Sequence, residues 1–280
     1  LNSGEKLRAV IISELEETAK KYGKPRRTEL VYGADSQSGP EEEEEEIPDY
    51  PVTVFVSREG YFKKITPQSL RMSGEQKFKE GDGLAFQAEV TNRAELLVFT
   101  DKCQVYKAKC SEFDDGKASL LGDYLPAKLG MEPGENVVRA VLPGDYTGYV
   151  LFFFANGKAA KVPMDAYNTK SNRRKLTGAY SDKSPLRTIL PLGQDCQAVV
   201  FSTDGRALIF STAQLAPKTT RSTQGVNVLT LRKNAELREA VPLEQTSIAN
   251  APRYRTRAIP AAGAILRQED SEEKQISLDL

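Results

Sequence analysis

The sequence predicts an all-β, propeller-like ring of four-stranded blades, preceded by one short α-helix. Three observations carry that prediction. A hairpin segment recurs four times, a large apolar residue sits ten positions beyond each copy, and one apolar stripe of helical period lies near the start of the chain. Self-similarity at a fixed period of this size signals an array of supersecondary units.

The first element is the helix, read over residues 4 to 22. Leu7, Val10, Ile11, Leu15 and Ala19 fall on one face. Ser3 can cap the helix, and Tyr22-Gly23-Lys24-Pro25 ends it, because Gly accepts the left-handed C-terminal turn and Pro cannot continue. A stripe on one short helix needs a partner, which chain upstream of Leu1 would supply; a start at Leu1 rather than Met reads as a fragment or a processed product. Residues 32 to 50 follow as a linker, in which six like charges from Glu41 to Glu46 repel and stay extended.

The repeats occupy residues 51 to 268. Their first strands contain Val54-Phe55-Val56, Leu97-Val98-Phe99, Leu151-Phe152-Phe153-Phe154 and Val199-Val200-Phe201. Such short runs of Val, Leu and Phe favour buried strands. A polar turn follows each run and ends at Gly60, Cys103, Gly157 or Gly205, in steps of 43, 54 and 48 residues. Gly suits a tight hairpin because it adopts positive φ without strain. Second strands are expected at Tyr61–Ile65, Gln104–Lys107, Lys158–Val162 and Arg206–Phe210, and the residues ten beyond the turns are Leu70, Phe113, Tyr167 and Leu215. A further apolar stretch then closes each unit: Leu84–Val90, Val137–Leu142, Leu186–Leu192 and Val226–Leu231. Four units are clear, and Ala235 to Leu266 either closes the ring or forms a degenerate fifth. Residues 269 to 280 read as an acidic, disordered tail.

Composition narrows the function. No apolar run approaches the length of a membrane span, and no signal-peptide pattern opens the chain. Cys103, Cys110 and Cys196 lack metal spacing and read as reduced, buried thiols of a cytosolic protein. His is absent, which removes the commonest general base and the commonest metal ligand. No phosphate-binding loop, dinucleotide fingerprint or nucleophile elbow is present. The expectation is a chain with no catalytic residues, metal or cofactor of its own.

The net charge of +0 hides an asymmetry. Residues 1 to 50 carry 7 Lys and Arg against 13 Asp and Glu, residues 51 to 268 carry 31 against 21, and residues 269 to 280 carry 1 against 5. A basic repeat module between acidic ends points to a polyanionic partner. The acidic ends then act either as anions competing for that module or as solvated tethers. The densest basic stretch holds Lys170, Arg173, Arg174, Lys175, Lys183 and Arg187, and Lys218 and Arg221 form a second, sparser one. Arg can grip phosphate oxygens in bidentate fashion and Lys adds a point charge. Lys63, Lys64, Lys107, Lys109, Lys158 and Lys161 recur on or near second strands, where lysine also serves to protect sheet edges. Phe152, Phe153 and Phe154 read as core.

These residues resemble a known family. Tyr22-Gly23-Lys24-Pro25-Arg26-Arg27-Thr28-Glu29-Leu30 resembles the end of the coiled-coil arm in the A subunit of bacterial type IIA topoisomerases, DNA gyrase and topoisomerase IV. There it reads roughly Y/F-G-D-x-R-R-T-E-I, which assigns residues 1 to 31 here to the end of the coiled-coil arm helix and its junction. The four repeats resemble the C-terminal β-pinwheel of those enzymes, as in Gly60-Tyr61-Phe62-Lys63-Lys64-Ile65 and Lys79-Glu80-Gly81-Asp82. The resemblance implies sequence-independent binding, bending or wrapping of duplex DNA around a basic rim, with the DNA presented to a catalytic core. It implies as partners the ATPase B subunit together with that core, and a location in the bacterial cytoplasm at the nucleoid. One departure stands out. Gyrase carries a glycine-rich basic box near Q-R-R-G-G-K-G, whereas this chain reads Arg71-Met72-Ser73-Gly74-Glu75-Gln76-Lys77-Phe78-Lys79. That favours a topoisomerase IV-like or divergent relative. The competing reading is a propeller-like protein-interaction platform that binds no DNA.

Overall fold

A computed structural model describes residues 4–23, 47–72, 75–169 and 174–270. The chain divides between Glu46 and Ile47 into two units. In the first, helix α1 (Gly4–Tyr22) has the predicted bounds, and its stripe of Leu7, Val10, Ile11 and Leu15 is exposed. Gly23 ends it, donating its N–H to the Ala19 carbonyl at 2.8 Å. The Lys24 to Leu30 junction, the Glu41 to Glu46 run and the tail beyond Asp270 lie outside the described residues. Among the described residues no helix is long and apolar enough to cross a membrane.

The second unit holds the strands. The first hairpin, β1 (Pro51–Ser57) and β2 (Tyr61–Ile65), leads through α2 (Pro67–Met72) to β3 (Leu84–Thr91). The second, β4 (Glu95–Thr100) and β5 (Gln104–Lys109), leads through β6 (Asp123–Tyr124) and α3 (Leu125–Lys128) to β7 (Val137–Val141). The third, β8 (Tyr149–Phe154) and β9 (Lys158–Pro163), leads through β10 (Lys175–Thr177) to β11 (Leu186–Leu192). The fourth, β12 (Gln197–Ser202) and β13 (Arg206–Ser211), leads through β14 (Val226–Asn227) to β15 (Leu237–Pro242), α4 (Ala251–Tyr254) and β16 (Ala264–Ile265). The hairpin turns use positive φ as expected: 85° at Gly60, 77° at Gly157 and 75° at Gly205, with Cys103 at 55°.

Four antiparallel sheets result, ordered β3-β1-β2-β6, β10-β5-β4-β7, β11-β8-β9-β14 and β15-β12-β13-β16. The blades are interleaved along the chain. The strand that closes a blade arrives only after the next blade's hairpin has been laid down: β6 on β2, β10 on β5, β14 on β9. This corrects the sequence reading of the last unit. Val226 and Asn227 close the third blade, and Leu237–Pro242 is the fourth blade's own third strand. Ala235 to Leu266 therefore completes the fourth blade instead of starting a fifth. Closing strands need close backbone approach at their entrance. Gly225 has φ 71°, and a Cβ there would sit 1.9 Å from the Ala159 carbonyl oxygen, so only glycine fits.

The core lies between successive blades. Phe113, Tyr167 and Leu215, the residues ten beyond three of the turns, are the wedges that join first to second, second to third and third to fourth blade. Tyr167 packs edge-on against Phe99 with ring centres 5.3 Å apart and donates its hydroxyl to the Ala179 carbonyl at 2.7 Å. Phe152, Phe153 and Phe154 are fully buried, as predicted. Among the described residues the first and fourth blades share no core cluster. Leu70 packs with Phe55 and Ile65 on the first blade's outward face, and Tyr254 with Ile209 on the fourth's.

The second-strand lysines correct another expectation. β2 and β9 are interior strands, and Lys63, Lys64 and Lys161 are buried. Lys64, Lys107 and Lys161 occupy one register position, opposite Val54, Leu97 and Leu151. Each reaches a carboxylate, an aromatic face and the chain leading into the next blade. Lys64 meets Asp115 at 3.1 Å and Asn92 at 2.7 Å, above Tyr50. Lys107 meets Glu95 at 2.9 Å and the Thr169 carbonyl at 3.4 Å, above Tyr146. Lys161 meets Asp195 at 2.6 Å and the Thr212 carbonyl at 3.5 Å, above Tyr149. In the fourth blade the position is Ile209, opposite Val199. Among the described residues Lys63 meets no carboxylate; it donates to the carbonyls of Lys77 and Ala118 at 2.8 and 3.3 Å. Burial pushes its ammonium pKa below the usual lysine range.

Candidate nucleic-acid interface

β3, β7, β11 and β15 form one edge of the blades, where β11 and β15 of neighbouring blades meet. The opposite, outer edges are the closing strands β6, β10, β14 and β16. Because each closing strand is short, the chain leading into it supplies most of the side chains there. Chemistry differs from blade to blade. The first blade's segment brings Glu112, Asp114, Asp115 and Asp123 against Lys117. The second brings Arg174 and Lys175, the third Lys218 and Arg221, and the fourth Arg253, Arg255 and Arg257.

The basic residues singled out by sequence are dispersed by this topology. Lys170 and Arg173 lie outside the described residues. Arg174 and Lys175 are on the second blade's outer edge, because β10 pairs with β5. Arg174 is 74% exposed and meets Glu112 at 3.1 Å. Lys175 meets Glu132 at 2.8 Å above the Tyr106 ring. That hydrogen bond raises the Lys175 ammonium and lowers the Glu132 carboxyl. Arg187 lies on β11 at the opposite edge and is paired with Glu236. Lys183 is exposed just before β11, its backbone N–H 3.4 Å from the Ser181 hydroxyl. Lys218 is half-buried, and its backbone N–H donates to the Lys161 carbonyl at 2.8 Å. Arg221 donates to the Ala166 carbonyl at 2.8 Å and lies above Tyr167, so it braces the third blade's own loop.

The fourth blade holds the cations that sequence reasoning passed over. Arg253, Arg255 and Arg257 are all exposed, and among the described residues none makes an ion pair. Arg253 lies in the short helix α4, and Arg255 and Arg257 follow where the chain leaves it. The Thr256 N–H donates to the Ile209 carbonyl at 2.9 Å, and Arg255 forms a bridge with Ile209, so the segment runs along β13. Tyr254 turns inward, 1% exposed, while its arginine neighbours face solvent. The alternation Arg-Tyr-Arg-Thr-Arg was present in the sequence as a signal. Unpaired arginines at this spacing can each accept a phosphate without first giving up a carboxylate.

No family model matches the chain. It is 26% identical over 243 residues to the A subunit of DNA gyrase from Aminobacterium colombiense, covering 81% of this chain and 28% of the relative. It is 25% identical over 237 residues to the A subunit of DNA topoisomerase 4 from Staphylococcus aureus, covering 83% of this chain and 29% of the relative. The chain thus spans under a third of the length of these curated relatives. Among solved structures, the C-terminal domain of DNA topoisomerase IV superposes with a TM-score of 0.63 at 21% identity, covering 71% of this chain and 63% of that one. The E. coli ParC C-terminal domain superposes with a TM-score of 0.57 at 13% identity, covering 78% of this chain and 94% of that one. The ring is therefore the β-pinwheel fold.

Proposed function

We propose that this chain, whose homologues are the A subunits of DNA gyrase and topoisomerase IV, binds duplex DNA along the outer edges of its second, third and fourth blades. The observation that carries the reading is the row of Arg253, Arg255 and Arg257, exposed and without carboxylate partners among the described residues, on a ring of this ancestry. Phosphates are the ligands such a row suits, and no base-reading element accompanies it, so binding is independent of sequence. The first blade's acidic edge repels the duplex, which confines binding to an arc and favours bending over a full wrap. Chemistry and ATP hydrolysis belong to the catalytic core and the B subunit, to which the bent segment is presented.

Titration of the chain with duplex DNA at about 50 and 200 mM salt tests this, because counterion release makes affinity fall steeply between them. Equal affinities overturn the reading. They would favour the protein-interaction platform instead, for which the first blade offers carboxylates beside the exposed Leu120, Leu121 and Tyr124.

A further inference from the structure

The arginine row is held from behind by one carboxylate that the sequence places in the acidic tail. Asp270 is 3% exposed. Its Oδ1 accepts the backbone N–H groups of Ala249 and Asn250 at 2.9 and 3.2 Å, and its Oδ2 accepts the Tyr254 hydroxyl at 2.7 Å. The Tyr254 hydroxyl in turn accepts the Arg267 N–H at 3.1 Å. The hydrogen bond from Tyr254 is the leading cause that holds the Asp270 carboxyl below the usual range. One side chain thus ties both ends of the turn that opens the arginine segment, and ties them to the residues that follow β16. Tyr254 lies between Arg253 and Arg255, so holding its ring in the core fixes the backbone from which both arginine side chains depart. Among the described residues Asp270 makes no ion pair; its hydrogen-bond partners are neutral donors, and the Arg267 charge acts on it only at longer range.

We infer that Asp270 is a positioning residue for phosphate binding, an acidic group that strengthens the grip on a polyanion by aiming the arginines beside it. The inference rests on the DNA reading above. Its sign separates it from simple electrostatics. Removing a negative charge next to a basic surface should tighten DNA binding through the field alone. If the carboxylate acts by aiming Arg253 and Arg255, the same change weakens binding.

Asp270→Asn and Tyr254→Phe in the full chain provide the test, with affinity for a duplex read at about 50 and 200 mM salt. Each phosphate that is no longer gripped should shrink the ratio of the two affinities by about threefold. Both variants are expected to bind more weakly at low salt and with the shallower salt dependence. Arg253→Ala with Arg255→Ala should then cost little more in the Asp270→Asn background, because the misaimed guanidinium groups no longer reach the phosphates. A loss of folding stability alone would lower the thermal midpoint and leave the salt dependence of the folded protein unchanged, and that result overturns the inference. So does unchanged or tighter binding by Asp270→Asn. Failure of the unaltered chain to bind duplex overturns the DNA reading itself, and the positioning role with it.

Discussion

The first and fourth blades share strand order, hairpin turn and a bulge at the same register, yet they present opposite surfaces. In the first, Lys63 and Lys64 are buried and the outer edge is left to carboxylates. In the fourth, the register position of Lys64 is Ile209, and three arginines stand exposed on the outer edge. The lysine at that position ties its own hairpin to chain outside it, and the fourth blade carries Ile209 there. Charge counted along a sequence is therefore not charge on a surface. In the first three blades part of the positive charge is buried at that register position, and in the last Arg253, Arg255 and Arg257 stay exposed without an ion pair among the described residues.

The strongest test of that contrast is to remove the free cations. Arg253→Ala, Arg255→Ala and Arg257→Ala together should weaken duplex binding by about tenfold or more at 50 mM salt, and flatten the salt slope by about 0.9 for each phosphate no longer neutralised. Thermal stability should barely change, since the three side chains are exposed. Unchanged affinity would remove the distinction between the blades.

Exchanging the register residue sharpens the contrast in stability. Ile209→Lys buries an ammonium at a position with 0% exposure, in an apolar cluster with Val199 and Ala207. A denaturant titration should show a loss of about 3 kcal/mol or more. Lys64→Met should cost less, about 1–3 kcal/mol, because Asp115 is 39% exposed and can be solvated once its partner is gone. Equal costs would mean that the lysine does not act through its neighbour blade.

Lys63 gives a smaller effect with a defined direction. Its folded-state pKa is depressed by burial, so between that pKa and the unfolded value near 10.5 the unfolded chain binds more protons. Stability relative to Lys63→Met should therefore rise with pH across that alkaline window. A flat or falling difference would show that the ammonium is not penalised by its site. Smallest of all, Asp114→Asn with Asp123→Asn on the first blade should tighten duplex binding by no more than about threefold at low salt. The gain should vanish near 200 mM, where screening acts within about 10 Å.

Much of this protein is local and was therefore legible in the chain itself. The bounds of α1, the four hairpins, the turn glycines and the wedges Phe113, Tyr167 and Leu215 follow from period, turn chemistry and side-chain size within a dozen residues. Tertiary structure alone decided the rest. Which strand closes which blade depends on pairing across an intervening hairpin, so Val226 and Asn227 read as one blade's strand and serve another's. Burial of Lys63, Lys64 and Lys161 depends on the closing strands and loops that cover β2 and β9. Arg187 was moved to the opposite edge and Arg174 and Lys175 into ion pairs by the same long-range pairing. Asp270 was drawn out of an acidic run into the core because Ala249, Asn250 and Tyr254 converge on it. A sequence records which side chains exist; only the folded ring determines which carboxylate reaches which cation, and which cations are left for a ligand.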